Sequence, residues 1–230
     1  MRFLVPLLLL VLATLGASAP VTARPAAADW LTTISRTPEG GVRMGNPNAK
    51  VKLIEYGSRS CPICGAFATA GFGPLREKYI ATGQVSFEFR DFPVHPQDLG
   101  NAVIGRCVSD RNFFVILDLM YARQAEFNAK AMALTPAQNE QIRTATSPRA
   151  ARMWSDWVGY SQLLRDNGMT QARIDQCFAN PQALPSLGKL VDLARTAGAP
   201  GTPTFVINGN RAAGVVSWSQ LEPWIQAALN

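Results

Sequence analysis

The sequence contains few charged residues, no block of like charges and a single histidine, and these shortages exclude several classes of protein. Only 17% of its 230 residues are charged and 47% are hydrophobic, which is typical of a packed globular core rather than of a disordered chain. The formal net charge is +6, but the basic residues are scattered singly, so no nucleic-acid-binding surface is predicted. After residue 15 no apolar run approaches the length of a membrane span, so we expect a mature protein that is not inserted in a membrane.

The N-terminus has the pattern of a secretory signal peptide. Arg2 precedes an apolar run over residues 3–15, and small residues follow this run. Ala19, Ala23 and Ala28 are candidate cleavage positions, so residues 1–28 are interpreted as a signal and processing region. An uncleaved signal anchor is the alternative. We expect the protein to be periplasmic or otherwise exported.

Hydrophobic periodicity divides the rest of the chain into two β-containing parts separated by a long helical stretch. It predicts strands near 41–44 and at 51–56, 85–90, 204–207 and 212–216, with a turn at Asn208-Gly209. It also predicts a helix over 62–82 with a break near Pro74, and a C-terminal helix that ends at Leu229. Residues 97–197 show no strand alternation, and helical patches are predicted at 99–108, 113–121, 150–164 and 184–194. The sequence therefore predicts an α/β fold.

Four cysteines in an exported protein are expected to be oxidised in pairs. Sequence alone permits three connectivities. Cys61 and Cys64 are three residues apart, whereas Cys107 and Cys177 are distant from them and from each other. The most economical pairing joins Cys61 to Cys64 and Cys107 to Cys177.

The Cys-x-x-Cys motif at residues 61–64 could serve haem attachment, metal binding or redox chemistry. Haem attachment is excluded because Gly65, and not histidine, follows the motif. A zinc site needs two further ligands at suitable spacing, and the chain offers His95 and two cysteines that form no second close pair. We therefore predict no metal. The position of the motif, between a buried strand and a helix, favours a redox pair.

The same position predicts a role for each sulfur. Pro62 suits the first helical position, which places Cys61 at or next to the N-cap, beside unpaired backbone N–H groups and the positive end of the helix dipole. That environment stabilises a thiolate and lowers the pKa of Cys61, which is therefore predicted to form the mixed disulfide. Cys64 lies one turn deeper on the same face and is predicted to be the resolving thiol.

Three motifs together resemble the DsbA family, the exported thioredoxin-fold oxidoreductases of bacteria. They are the redox motif at 61–64, the Arg90-Asp91-Phe92-Pro93 stretch after the following strand, and the Gly201-Thr202-Pro203-Thr204-Phe205 stretch that opens a late strand. The long helical stretch between them is also similar to that family. The resemblance implies a thioredoxin-like fold with a large inserted helical domain. Residues 29–96 and 198–230 would form the thioredoxin-like domain, and residues 97–197 the insertion.

The resemblance also implies roles for residues outside the redox motif. The Thr202–Pro203 bond would be cis, with Pro203 packed against the disulfide and the Thr202 backbone hydrogen-bonded to an extended substrate strand. Glu55, six residues before Cys61, would be a buried carboxylate that exchanges a proton with Cys64. A strand-end residue paired with a nearby Lys or Arg is the alternative for Glu55.

Ile63 departs from the pattern of the strong oxidants in that family, which have histidine before the second cysteine. An imidazolium would add positive charge beside the thiolate, and Ile63 adds none. We therefore expect Pro62 and Ile63 to leave Cys61 with a pKa below that of a free thiol but less depressed than in those enzymes. The protein would be a correspondingly milder oxidant.

The remaining cysteines fit a second disulfide that some DsbA relatives carry within the helical insertion. A Cys107–Cys177 bond would then be structural, and an exposed redox-active pair that tunes the first pair is the alternative. His95 lies in a loop after a strand, where we see no catalytic demand for an imidazole, and it is interpreted as structural.

These features predict an oxidase that passes its disulfide to reduced cysteines of newly exported proteins and needs no cofactor of its own. A membrane quinone-linked partner of the DsbB type would re-oxidise it. The main alternative is a disulfide isomerase or reductase kept reduced by a membrane electron donor of the DsbD type, because isomerase relatives often have threonine at the position of Thr202. A third possibility is a non-catalytic binding protein or metal chaperone built on the thioredoxin scaffold.

Overall fold

A six-stranded mixed sheet forms the centre of the structure, a computed structural model that describes residues 29–230. The predicted signal region, residues 1–28, lies outside the described residues. The strands are β1 (Ile34–Arg36), β2 (Val42–Gly45), β3 (Val51–Gly57), β4 (Val85–Asp91), β5 (Thr204–Ile207) and β6 (Asn210–Arg211), in the sheet order β1-β2-β4-β3-β5-β6. The helices are α1 (Pro62–Leu75), α2 (Asp98–Gly105), α3 (Phe113–Ala122), α4 (Gln124–Met132), α5 (Pro136–Thr144), α6 (Ser147–Val158), α7 (Tyr160–Asp166), α8 (Gln171–Ala179), α9 (Ala183–Thr196) and α10 (Trp218–Leu229).

The two central strands run parallel and end at the same edge of the sheet. β3 pairs with β4 from Val51 opposite Val85 to Gly57 opposite Asp91, and β2 and β5 flank this pair in antiparallel orientation. The loops that leave β3 and β4 therefore lie side by side. The redox motif directly follows the first of these loops.

Helices cover both faces of the sheet. On one face Leu53 of β3 packs in a core with Phe67 of α1, and on the other face Tyr56 packs with Ala194 of α9. Successive side chains of a strand point to opposite faces, so Glu55 shares the face of Leu53. Glu55 thus faces the helix that carries the redox motif.

β4 is more deeply buried than its alternating sequence predicts. All seven of its residues are buried, including Ser86, Glu88 and Arg90, because β4 lies between β2 and β3 in the sheet. Glu88 accepts hydrogen bonds from Thr37 at 2.8 Å and from Arg90 at 2.6 Å, and Arg90 also donates to the Tyr56 hydroxyl. Polar partners within the fold thus take the place of solvent on this face.

The predicted final hairpin is displaced in the structure. Its second strand occupies Asn210–Arg211, whereas the sequence predicts 212–216. Asn208 (φ 49°) and Gly209 (φ 85°) form the turn, and the chain pairs with Ile207 directly after it. A two-residue turn of this kind leaves no unpaired residues before the returning strand.

Helices occupy residues 98–196, as predicted, but in shorter pieces than the hydrophobic pattern indicates. Gly159, with a φ of 106°, divides the predicted helix over 150–164 into α6 and α7. The pattern also misses β1 and the helices α4, α5 and α8, which are all short. Pro74 lies inside α1, and the helix continues after Leu75 as a π-helical segment, Arg76–Ile80. No helix within residues 29–230 combines the length and the apolar character needed to cross a membrane.

The helical stretch shares its core with the sheet. The ring of Phe113 in α3 lies 6.2 Å from that of Phe89 in β4, and the rings of Phe114 and Phe87 are 5.8 Å apart. Phe72 of α1 also contacts Phe87, with ring centroids 5.5 Å apart. These contacts fix α3, and with it the start of α4, beside α1.

A disulfide joins Cys107, just beyond α2, to Cys177 in α8. The two Cα atoms are 5.8 Å apart, and the bond closes a loop with a sequence separation of 70. Arg173 of α8 also donates a hydrogen bond to the Cys107 carbonyl at 3.3 Å. The covalent bond therefore connects two parts of the helical stretch that already contact each other.

Replacing both cysteines of this bond with serine should destabilise the protein and leave the reactivity of Cys61 intact. In the chain-entropy model, opening a loop of this size costs about 4 kcal/mol, which for a chain of this length lowers Tm by roughly 10 °C. Calorimetry of the Cys107→Ser/Cys177→Ser variant would measure the shift. If Cys61 lost its reactivity at a temperature where this variant remains folded, the disulfide would not be purely structural.

Candidate active site

Cys61 lies where the chain passes from β3 into α1. It is the N-cap of the helix, with an extended backbone (φ −73°, ψ 118°), and Pro62 is the first helical residue. Proline fits this position because its ring fixes a helical φ and it has no N–H to leave unpaired. The remaining N–H groups of the first turn lie next to the Cys61 sulfur.

Several donors converge on the Cys61 sulfur. Hydrogen bonds from the Cys64 thiol, from the Thr202 side chain and from the backbone N–H groups of Cys64 and Ile63 lower the pKa of Cys61 to about 5, although burial acts to raise it. The side chain of Ile63 is itself 50% exposed and Pro62 is exposed, so the outer surface of the motif is apolar. Cys61 and Cys64 are both free thiols in the structure.

Cys64 is more deeply buried than Cys61, and its pKa is shifted in the opposite direction. It is fully buried, and burial raises its pKa well above the ordinary value. The hydrogen bond to Cys61 and the negative charges of Glu55 and Cys61 act in the same direction. At neutral pH the pair therefore holds one thiolate, on Cys61, and one thiol, on Cys64.

The loop before β5 faces the two cysteines. The Thr202–Pro203 bond is cis, and Pro203 is buried. The Cys61 sulfur lies 3.3 Å from the carbonyl oxygen of Thr202. The structure thus brings Thr202, which directly precedes Pro203, to the redox motif across about 140 residues of sequence.

Glu55 lies beneath the motif with no partner. It is 0% exposed, and neither carboxylate oxygen has a hydrogen-bond partner among the described residues. Burial, and after it the negative charge of Cys61, raises the pKa of Glu55 well above its usual value. The alternative of an ion pair with a nearby Lys or Arg is therefore wrong for this structure.

Side chains from the helical stretch hold the loop that precedes the motif, and sequence reasoning missed them. Tyr121 donates to the Ser58 carbonyl at 3.2 Å, Gln124 to the carbonyls of Arg59 and Cys61 at 3.0 and 2.9 Å, and Asn128 to the Ser60 carbonyl at 2.9 Å. Gly65 makes room for this arrangement, because a Cβ there would lie 2.5 Å from the Gln124 side-chain oxygen. We name Tyr121, Gln124 and Asn128 the loop-holding side chains.

A buried ion pair anchors the same loop to β4. Arg59 is 1% exposed and donates to Asp91 at 2.7 Å, and its guanidinium lies over the rings of Phe89 and Phe113. The parallel register of β3 and β4 places these two residues next to each other at the sheet edge. Within residues 29–230 no cluster of three His, Cys, Asp or Glu side chains could hold a metal ion.

Sequence comparison gives the class to which this fold and site belong. A family model described as thioredoxin matches residues 37–227, which is most of the chain, so the chain belongs to the thioredoxin family. Within that class its resemblance is to the DsbA-type proteins. The crystal structure of a protein-disulfide isomerase from Novosphingobium aromaticivorans has a TM-score of 0.77 and 30% identity, and the match covers 82% of this chain and 96% of that one.

Two further relatives support the same class. Alpha-DsbA1 of Wolbachia pipientis, with a TM-score of 0.64, matches 81% of this chain and 89% of its own, and at 20% identity it shows the shared fold. A protein of Rickettsia bellii named putative protein-disulfide oxidoreductase is 25% identical over 178 residues, which are 74% of this chain and 58% of that protein. The chain thus spans little more than half the length of the curated relatives it matches. The predicted thioredoxin-like α/β fold and the resemblance to DsbA are confirmed.

The titration of Cys61 should depend on the donor that Cys64 supplies. We expect the thiolate absorbance of the reduced protein to titrate near pH 5. Cys64→Ala removes the donor and should raise the pKa of Cys61 by about one unit, whereas Cys64→Ser keeps a hydroxyl donor and should raise it less. A midpoint at or above about 8.5, the value of a free thiol, would contradict a stabilised thiolate.

The stability of the protein relative to a Glu55→Gln variant should fall as the pH rises. The pKa of Glu55 is raised on folding, so above about pH 4.3 the unfolded chain loses a proton that the folded chain keeps. The difference in the free energy of unfolding between Glu55→Gln and the parent should therefore grow from pH 5 to pH 8. Urea unfolding of the disulfide forms would measure it, since Cys61 does not titrate there. The exposed Glu77→Gln is the matched control, and a difference independent of pH would refute the buried, partnerless carboxyl.

Proposed function

We propose that this chain is an exported thiol–disulfide oxidoreductase that acts as an oxidase on newly exported proteins. The observation that carries the proposal is the position of the Cys61 sulfur, between the first turn of α1 and the Thr202 carbonyl 3.3 Å away. The donors around the first turn stabilise the sulfur as a thiolate. The Thr202 carbonyl, to which Cys61 donates when it is a thiol, belongs to the segment that would bind substrate. The division into a thioredoxin-like domain (29–96 and 198–230) and an inserted helical domain (97–197) is part of this proposal.

The exchange proceeds in two displacements. A substrate thiolate attacks the Cys61 sulfur of the Cys61–Cys64 disulfide, so that a mixed disulfide forms and Cys64 leaves with the electron pair. A second substrate thiolate then attacks the substrate sulfur of the mixed disulfide, and Cys61 leaves as the stabilised thiolate. In the reverse direction Cys64 resolves the mixed disulfide by attacking Cys61. The two electrons gained by the enzyme pass to a membrane quinone-linked partner of the DsbB type.

Glu55 would donate a proton to Cys64, the second cysteine of the motif. The leaving Cys64 is buried, and its thiolate is unfavourable there, so it needs a proton at once. Glu55 lies on the same face of the sheet and keeps its own proton because burial raises its pKa. A proton transfer from Glu55 to Cys64 forms the thiol and moves the negative charge from the sulfur to the Glu55 carboxylate, which must then take up a proton from solvent.

Substrate would bind at the loop that precedes β5. The backbone of Thr202 would pair with an extended segment of substrate, with Pro203 against the disulfide. The exposed Pro62 and Ile63 border this site and would contact apolar side chains of an unfolded client. Because Ile63 adds no positive charge, we expect a milder oxidant than relatives with histidine at this position.

A disulfide isomerase or reductase is the second candidate. Thr202 and the absence of histidine at the position of Ile63 are compatible with it, and the similar protein from Novosphingobium aromaticivorans is named a protein-disulfide isomerase. Such a protein would be kept reduced by a membrane electron donor of the DsbD type.

The equilibrium of Cys61–Cys64 with glutathione distinguishes these functions. A potential near or above about −200 mV supports an oxidase, and a potential near −270 mV supports a reductase. When the Cys64→Ala variant is incubated with glutathione disulfide, Cys61 should form a stable mixed disulfide with glutathione, which intact-mass measurement would detect. The matched variant Cys61→Ala should hold none, because Cys64 is buried. A chain that never exchanges with glutathione would instead be a non-catalytic or metal-binding protein.

A further inference from the structure

A buried carboxylate at the start of α2 joins the redox loop to the loop that follows β4. Asp98 is 1% exposed. It accepts five hydrogen bonds of 2.7 to 3.0 Å, from the hydroxyls of Ser58 and Ser60, the N–H groups of Val94 and His95, and the side-chain amide of Asn101. In every one of these hydrogen bonds the neighbouring group is the donor, so the carboxylate acts as an acceptor only.

The donors and acceptors of this network define the direction of each hydrogen bond. The single hydroxyl proton of Ser60 goes to Asp98, so the lone pairs of the Ser60 oxygen face the Nδ1 atom of His95, 2.9 Å away. His95 must therefore carry a proton on Nδ1 and donate it to Ser60. The Ser58 hydroxyl also donates to Asp98, and its oxygen accepts the N–H of Cys61 at 3.1 Å.

A continuous chain of hydrogen bonds thus connects His95 to the backbone of the reactive cysteine. It passes through Ser60, Asp98 and Ser58, all of which are 1 to 2% exposed. The His95 side chain is 44% exposed, so it is the end of the chain that reaches the surface. The charged group that faces the ring within 4 Å is Asp98, at 3.9 Å.

We propose that His95 is a positioning residue for the Cys61 sulfur, acting through Ser60. The inference rests on the proposed function of Cys61 and Cys64. The thiolate is stabilised by N–H groups of the first turn of α1 and by Thr202, and these contacts depend on the orientation of residues 58–61. The bond from His95 fixes the Ser60 hydroxyl on Asp98. Without it the Ser60 oxygen loses its donor, the loop is held less firmly, and the reduced form is less well stabilised.

Two substitutions of His95 distinguish the effect of the hydrogen bond from the effect of the imidazole ring. His95→Leu removes the donor, whereas the side-chain amide of His95→Asn occupies nearly the position of Nδ1 and can still donate to Ser60. We expect His95→Leu to shift the glutathione equilibrium toward the disulfide form by at least about threefold, which is a weaker oxidant, and His95→Asn to stay within about twofold of the parent. Thermal unfolding of each variant serves as the control, because a purely structural role would lower Tm without moving this equilibrium.

A double-mutant cycle tests whether Ser60 transmits the effect. In a Ser60→Ala background His95→Leu should have no further effect on the equilibrium, because the acceptor of its hydrogen bond is gone. A shift of less than twofold in His95→Leu, failure of His95→Asn to restore the parent value, or a full shift in the Ser60→Ala background would each overturn the inference. Those results leave the proposed function intact, since the parent still exchanges. A parent that does not exchange with glutathione overturns both.

Discussion

The stabilisation of a sulfur anion at Cys61 is the interaction on which the site depends, and it requires N–H groups that no other acceptor uses. The start of a helix supplies them, because its first N–H groups have no partner within the helix. The Cys64 thiol and the Thr202 side chain add two more donors. These donors outweigh the burial of Cys61, a residue that is 6% exposed, and its pKa falls to about 5. The same interactions stabilise the reduced pair, which makes the disulfide a better oxidant.

The negative charge on Cys61 also affects the protonation of Cys64 and Glu55, which lie beneath it. Cys64 and Glu55 are both fully buried, and the negative charge of Cys61 adds to burial in raising the pKa of each. The interior therefore holds one negative charge while both deeper groups keep their protons. When Cys61 enters a disulfide its charge disappears, and Glu55 loses one of the two causes that hold its proton. Redox state and proton affinity are thus coupled through a single sulfur atom.

The features that could be predicted from sequence are those that follow from local pattern. Strand alternation places Glu55 on the face of Leu53, and Pro62 marks the start of α1, so the surroundings of Cys61 could be inferred from neighbouring residues. Gln124 and Asn128 could not, because each contacts a carbonyl more than sixty residues away and an amide side chain on a helix carries no signal of its target. The contact of His95 could not be predicted for the same reason: its bond to Ser60 exists only because β3 and β4 end side by side.

The helical stretch has a part in the chemistry because it determines where the backbone dipoles of the redox loop point. A carbonyl oxygen carries partial negative charge, so any carbonyl directed at the Cys61 sulfur in addition to that of Thr202 would oppose the thiolate further. The loop-holding side chains bind all four carbonyls from Ser58 to Cys61. Those oxygens are thereby satisfied inside the protein, and the donor side of the turn remains available to the sulfur. This requires Gln124 and Asn128 to be placed to within a fraction of an ångström. Only a segment rigidly attached to the sheet can do so, and the packing of Phe113 and Phe114 against β4 supplies that attachment.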